Sequence, residues 1–456
     1  MPIATIDPTS GALVRAFAED DADEIETALD RAEHAAALWR RTPIAERLAM
    51  LARAAERLDA ERDVLAALAT LEMGKTLQSA RDEVAKCALA CRHYAAHAET
   101  MLAAEPIDID GATGTVHYQP LGVILAVMPW NFPYWQAVRA AAPALAAGNV
   151  FLLKHASNVP QCALALERIF TEAGAPEGVF QTLLVGSATV ASLIADRRIA
   201  AATLTGSEAA GRDVGAHAGR AIKKTVLELG GSDPFIVLAS ADIEKAAATG
   251  VKARMINNGQ SCIAAKRFIV VESVADEFER RFTELVRALR LGDPTDPSVD
   301  VGPLATEQIR REIDSQVERT VAAGATLVIG GRAPNRAGWF YEPTVLTNVP
   351  LDSAAAVEET FGPVAPIFRV ADTDAAFAIA NHATLGLGAS VWTRDADEAA
   401  RAAREIDAGM VFINAMVSSD PRLPFGGVKE SGYGREVGLP GLLEFVNIKT
   451  VRGSAH

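Results

Sequence analysis

The chain has 456 residues, half of them hydrophobic and 22% charged, which supplies a large buried interior and excludes a disordered protein. Its length suggests roughly three domains. A net charge of -14 excludes nucleic acid as the natural partner, because phosphate binding needs a basic face, and any anionic ligand requires cations gathered locally.

Taken in chain order, the first hundred residues read as helices. Asp7, Glu19, Asp20, Asp21 and Asp23 stand where a secretory leader would carry basic and apolar regions. Pro43 suits a first helical turn, and leucines and alanines recur at helical spacing from Leu48 to Leu71 before Gly74. Cys87 and Cys91, four apart in SARDEVAKCALACRHY, share a helical face and read as small buried hydrophobes, as does Cys162. Four cysteines make no disulfide framework. PIDIDGATGTVHYQP reads as a hairpin with Gly111 and Gly114 in its turn. From Gly122 short apolar runs alternate with helical stretches: VILAVM, VFLLK, VFQTLLV, AATLT and TVLEL. Fully apolar strands alternating with helices imply an α/β fold with a parallel sheet covered on both faces. FIVL, RFIVV, TLVIG, APIFRV and ASVWT make a second such series, and LLEFVNIKTV reads as a lone terminal strand. An isolated hairpin is marginal in water, so the hairpin and the tail are expected to pack against another subunit, although folding back on their own chain fits as well. No apolar run approaches the roughly 18 residues that span a bilayer. The longest, Gly122 to Met128, stops at Pro129. The expected setting is soluble and cytoplasmic, away from membranes.

Three segments carry chemistry. In NNGQSCIAAKR, Cys262 lies in a polar, glycine-containing stretch where a side chain is presented rather than packed. A thiolate is intrinsically very nucleophilic, and loop amides are able both to lower the thiol pKa and to donate to an oxyanion. In TVLELGGSDPFIV, Glu228 sits in an apolar strand before two glycines; burial would raise its pKa into the range of a general base, and a structural ion pair is the competing reading. In VMPWNFPYWQAVR, Pro133 is placed in a first helical turn, leaving Asn131 just ahead with its amide free to donate. Trp135 and Arg139 fall on one face of that helix. Singly, these residues read equally well as a loop cysteine, an ion-paired carboxylate and a helix cap.

Together the segments resemble the aldehyde dehydrogenase superfamily along essentially the whole chain: PWNFP at 129–133, LTGS at 204–207, ELGGSDPF at 228–235, GQSC at 259–262, EETFGPV at 358–364 and PFGGVKESGYGRE at 424–436. The resemblance implies a Rossmann-type cofactor domain (1–103 and 121–228, with 424–438 returning to it), an α/β catalytic domain (229–423) and a small β oligomerisation element (104–120 and 439–456). It implies that Cys262 attacks the aldehyde to give a thiohemiacetal, that Asn131 and the Cys262 amide hold the oxyanion, and that Glu228 activates the water that hydrolyses the thioester. No G-x-G-x-x-G follows the first strands, so the cofactor contacts also come from the resemblance. Gly206 and Ser207 open a helix toward the pyrophosphate. Trp130 and Lys154 border the adenosine, while Glu359 and Phe361 hold the nicotinamide ribose and ring. No metal is expected.

Ser157 stands where NAD-preferring relatives often carry a glutamate that repels a 2′-phosphate, which implies NADP as the preferred cofactor and NAD as the second. Arg139 matches an arginine that the superfamily's succinate-semialdehyde dehydrogenases use for the substrate carboxylate, with Ser419 assisting and Trp135 lining the channel. Two departures stand out. The position of a second carboxylate-binding arginine is Ile256, with Arg254 nearby expected to point elsewhere. The residue two after the nucleophile is Ala264, so a disulfide switch known in some members is absent. The implied activity is oxidation of a small aldehyde with a carboxylate end, succinate semialdehyde, by a homodimer or homotetramer. Other short or medium-chain aldehydes, and an inactive cofactor-binding relative, are the alternatives.

Overall fold

The computed structural model describes residues 2–109 and 112–454. Two large sheets organise it. The first is six-stranded in the order Gly432–Tyr433, Lys224–Glu228, Ile199–Thr205, Val123–Met128, Val150–His155, Phe180–Leu183. Its five long strands run parallel and only Gly432–Tyr433 is antiparallel. Every residue of Val150–His155 is buried, as is the whole Trp135–Ala147 helix laid against the sheet. That double cover is why these strands read as unbroken apolar runs rather than alternating ones. The strand order reverses beside Val123–Met128, whose neighbours are Val150–His155 on one side and Ile199–Thr205 on the other. In parallel sheets such a reversal opens a crevice at the carboxyl ends of the strands. Here those ends lead into Pro129–Asn131 and Gly206–Ser207.

The second sheet is seven-stranded: Thr326–Ile329, Thr344–Thr347, Val364–Val370, Arg267–Val271, Pro234–Val237, Gly388–Trp392, Met410–Ile413. Six strands are parallel, and the TLVIG segment forms an antiparallel edge on Thr344–Thr347. Thr344–Thr347 and Met410–Ile413 are strands that hydropathy did not mark. The N-terminus also differs from an all-helical reading, because Ala4–Ile6 and Leu13–Ala16 pair as a short antiparallel ribbon.

The helical stretch after Pro43 is two helices, Ile44–Ala60 and Arg62–Met73, the second ended by Gly74 in the left-handed region at φ 80°. Cys87, Cys91 and Cys162 are fully buried. The hairpin and tail fold together on their own chain. Val446–Ser454 pairs antiparallel with Ala112–Pro120 over nine positions, and Glu105–Ile109 completes a three-stranded sheet. Gly114 is not in the turn: it lies within a strand, opposite Ile107 and Arg452, while Gly111 falls outside the described residues. Among the described residues, no helix is long and apolar enough to cross a membrane.

Candidate active site

Cys262 is delivered by a tightly held loop. Asn257 and Asn258 occupy the left-handed region at φ 56° and 59°, which asparagine tolerates better than most residues. Their buried side chains fix the loop. Asn258 Nδ2 donates to the carbonyls of Gly74 (2.9 Å) and Pro303 (3.0 Å), and its Oδ1 accepts from Gly302 N. Asn257 Nδ2 donates to the carbonyls of Asn131 (2.7 Å) and Gln260 (3.0 Å). Lys266, buried and unmarked in the sequence reading, donates to the carbonyls of Ser261 and Cys262 at 2.7 Å each and pairs with Glu359 at 3.1 Å. The approach is close enough that a Cβ on Gly231 would stand 2.3 Å from the Cys262 carbonyl oxygen, so the second glycine of ELGG is sterically required. Burial pushes the thiol up to about 12, against the downward pull of Arg139 and Lys266 and with Glu359 and Asp233 reinforcing it. Among the described residues no backbone amide counters this rise, contrary to the lowering expected from the loop, and the sulfur rests as a thiol.

Two cavities meet at this sulfur, and Cys262 and Gln136 line both. The first, about 380 Å³, is a groove over the carboxyl ends of the first sheet. Its walls include Trp130, Asn131, Gly206, Ser207, Glu359 and Phe361. Ser207 caps the Glu208–Arg220 helix, accepting from Ala210 N, so the helix N-terminus faces the groove as a site for phosphate requires. The Glu208 and Glu359 carboxylates close over Gly230, where a Cβ would meet Glu208 Oε1 and, at 2.8 Å, Glu359 Oε2. These features fit a dinucleotide. Trp130 packs edge-on against Phe361 with centroids 5.7 Å apart, and both are groove walls whereas Lys154 is not. Lys154 and Ser157 sit at the end of the Val150–His155 strand and are not groove walls; Lys154 is buried, which lowers its pKa, and Glu19 opposes that shift. Glu19 was not marked by any motif.

The second cavity, about 660 Å³, is a chamber lined by Phe132, Trp135, Arg139, Ser419 and Phe425. Asn131 is a wall of the groove and not of the chamber. One of its amide hydrogens goes to the Gln260 carbonyl at 3.2 Å, which leaves the second for a ligand. The helix behind it starts at Trp135, two residues later than Pro133 suggested. A buried carboxylate caps this first turn: Glu83 accepts from the N–H groups of Tyr134 and Trp135 at 2.8 and 2.9 Å, and is itself paired with Lys75.

Arg139 is fully buried but not unpaired. It makes an ion pair with Glu436, lies 4.4 Å over the Phe425 ring and reaches Thr205 Oγ1 at 3.5 Å. Glu436 was missed because it ends a glycine-rich motif rather than standing in an apolar run. Glu228 is buried, and neither carboxylate oxygen has a hydrogen-bond partner. It is not a wall of either cavity, although Leu229 and Gly230 beside it line the groove, and its Oε1 is turned toward Gly426. Burial and then Glu436 hold its pKa well up, with Arg139 and Arg435 opposing. Glu436 is raised as well, by burial first, with Arg139 opposing. Arg254 points elsewhere, as expected, donating to the Gly259 carbonyl at 2.6 Å.

Residues 1–451 match the aldehyde dehydrogenase family. The chain is 57% identical over 454 residues to a protein named succinate-semialdehyde dehydrogenase [NADP(+)] 1 of Mycobacterium tuberculosis, covering 99% of both. It is 54% identical, with the same coverage, to succinate-semialdehyde dehydrogenase [NADP(+)] of Mycobacterium leprae. Among solved structures, the succinic semialdehyde dehydrogenase of Streptococcus pyogenes in complex with NADP+ superposes with a TM-score of 0.96 at 37% identity, over 98% of this chain and 99% of that one. The Burkholderia pseudomallei succinate-semialdehyde dehydrogenase gives a TM-score of 0.97 at 35% identity, over 100% and 95%. With two cavities joined at one cysteine and this likeness along its full length, the chain belongs to the aldehyde dehydrogenase family.

Proposed function

We propose that this protein oxidises succinate semialdehyde to succinate with NADP as the preferred hydride acceptor and NAD as the second, as a cytoplasmic homodimer or homotetramer. The observation that carries the reading is the position of Cys262 at the junction of a phosphate-compatible groove and a chamber containing basic side chains. Bound in the groove, the dinucleotide supplies a hydride acceptor. The chain supplies the rest. The Cys262 thiol releases its proton to solvent water as the sulfur attacks the aldehyde carbon, and the oxyanion is held by the free Asn131 amide hydrogen and the Cys262 N–H; each such donor contributes roughly 3 to 4 kcal/mol. Loss of hydride from that carbon leaves a thioester on Cys262. Glu228, its own proton released to solvent, then swings from its place beside Gly426 toward the thioester, takes a proton from water, and hydrolysis returns acid and thiol. Ser157, short and neutral where a carboxylate would repel a 2′-phosphate, with Lys154 three residues before it, favours NADP. The oligomer reading rests on the small three-stranded sheet, which leaves Ile107, Ile448 and Val451 exposed. Initial rates of NADPH formation with succinate semialdehyde and butyraldehyde test the substrate: a kcat/KM preference for the acid of at least tenfold is expected, and equal values reject it.

A further inference from the structure

The charge arithmetic of the chamber leaves the substrate's carboxylate without an obvious partner. Arg139 is neutralised by Glu436, and behind the chamber walls Lys75 is paired with Glu83 and Lys266 with Glu359. Ile256, where a second arginine is found in some relatives, is apolar and lines the same chamber. Lys252 lines it too, but is exposed at the mouth, where the exposed Asp82 and Asp300 also stand.

One cation is left inside. Lys86, on the Leu77–Met101 helix, projects into the chamber opposite Arg139. Its ammonium donates to Ser419 Oγ at 2.5 Å and lies 4.5 Å above the Trp135 ring. Among the described residues no carboxylate lies within ion-pair distance of it. An ammonium with three donors, one spent on a neutral hydroxyl and its charge resting on an aromatic face, is a half-built anion site. We infer that Lys86 receives the carboxylate end of the substrate, with the Ser419 hydroxyl as the second donor and Trp135 as the floor, while Arg139 acts as a paired anchor between Glu436 and Phe425. Ser419 is able to accept from Lys86 and donate its own hydrogen to the carboxylate at the same time. The inference rests on the acid-bearing aldehyde being the substrate, and it moves the net charge that selects that substrate from Arg139 to Lys86.

Burial, and next Arg139 from the facing helix, bring the Lys86 ammonium down to about 8, while Cys87 and Glu83 on its own helix and Asp420 on the adjoining loop pull it up. The ammonium is therefore charged below that pH and lost above it, and kcat/KM reports the free enzyme.

The test compares Lys86→Met and Lys86→Arg with the wild type, using succinate semialdehyde and butyraldehyde and reading the ratio of the two kcat/KM values. The methionine variant is expected to lose roughly 10- to 100-fold of the preference for the acid, mainly through KM, and the arginine variant to recover most of it. A methionine variant whose preference stays within about twofold of wild type overturns the inference. A wild type without any preference rejects the substrate reading instead. Should the methionine variant not fold, the wild-type ratio between pH 7 and pH 9 decides: a fall through about pH 8 supports Lys86, and a flat ratio overturns it.

Discussion

The groove and the chamber on either side of Cys262 are built by different means. The groove is walled on one side by short segments leaving strand ends, at Pro129–Asn131, Gly206–Ser207 and Leu229–Gly230, and closed by the Glu307–Ala322 helix with Glu359 and Phe361. The chamber is walled by side chains from the Leu77–Met101 and Trp135–Ala147 helices and from the loop carrying Val417 and Ser419. A surface made of backbone depends on glycines and short polar words, and tolerates little change. A surface made of side chains on regular helices can be redrawn one residue at a time without disturbing the turns that hold the nucleophile. On the proposed function, cofactor binding falls to the first kind of surface and substrate choice to the second.

Four substitutions sharpen or break that division. Cys262→Ala, at the junction, should abolish NADPH formation with every aldehyde, by more than about 10⁴-fold, with thermal stability retained. Turnover surviving that change would remove the basis of the division. Glu228→Gln should slow the steady state by roughly 10²- to 10⁴-fold while leaving a rapid burst of NADPH near one per active site, since only the hydrolytic half is impaired. A burst lost in proportion would place Glu228 in the first half-reaction. Asn131→Ala should lower kcat by roughly 10²- to 10³-fold for succinate semialdehyde and butyraldehyde alike; a change in their ratio would mean that the oxyanion donor also sorts substrates. Ser157→Glu is expected to shift the NADP-to-NAD preference by roughly tenfold toward NAD, or about 1.4 kcal/mol, leaving aldehyde preference alone. An unmoved cofactor ratio would transfer that choice to Lys154 or Glu19.

The same division explains what was legible beforehand. The parallel sheets announced themselves because strands covered on both faces have no polar positions to interrupt the run, and Cys262, Glu228 and Asn131 each sat in a short motif. The short strands Thr344–Thr347 and Met410–Ile413 did not, being four residues each and carrying no alternation. Lys86 and Lys266 were passed over because a lysine on an amphipathic helix, or just ahead of a strand, looks the same as a solvated one; only packing distinguishes them. Arg139 was read as a charge seeking a ligand, since its partner Glu436 lies almost 300 residues further along the chain, which no local pattern connects. The turn of the hairpin was misjudged at Gly114, whose place in the ladder is set by the terminal strand opposite.

Lys266 grips the carbonyls of Ser261 and Cys262 with the same ammonium that meets Glu359. One nitrogen atom therefore mechanically joins the wall of the groove to the peptide that aims the sulfur. Neither the Glu359 carboxylate nor the peptide ahead of the sulfur can shift far without stretching a contact to that shared ammonium.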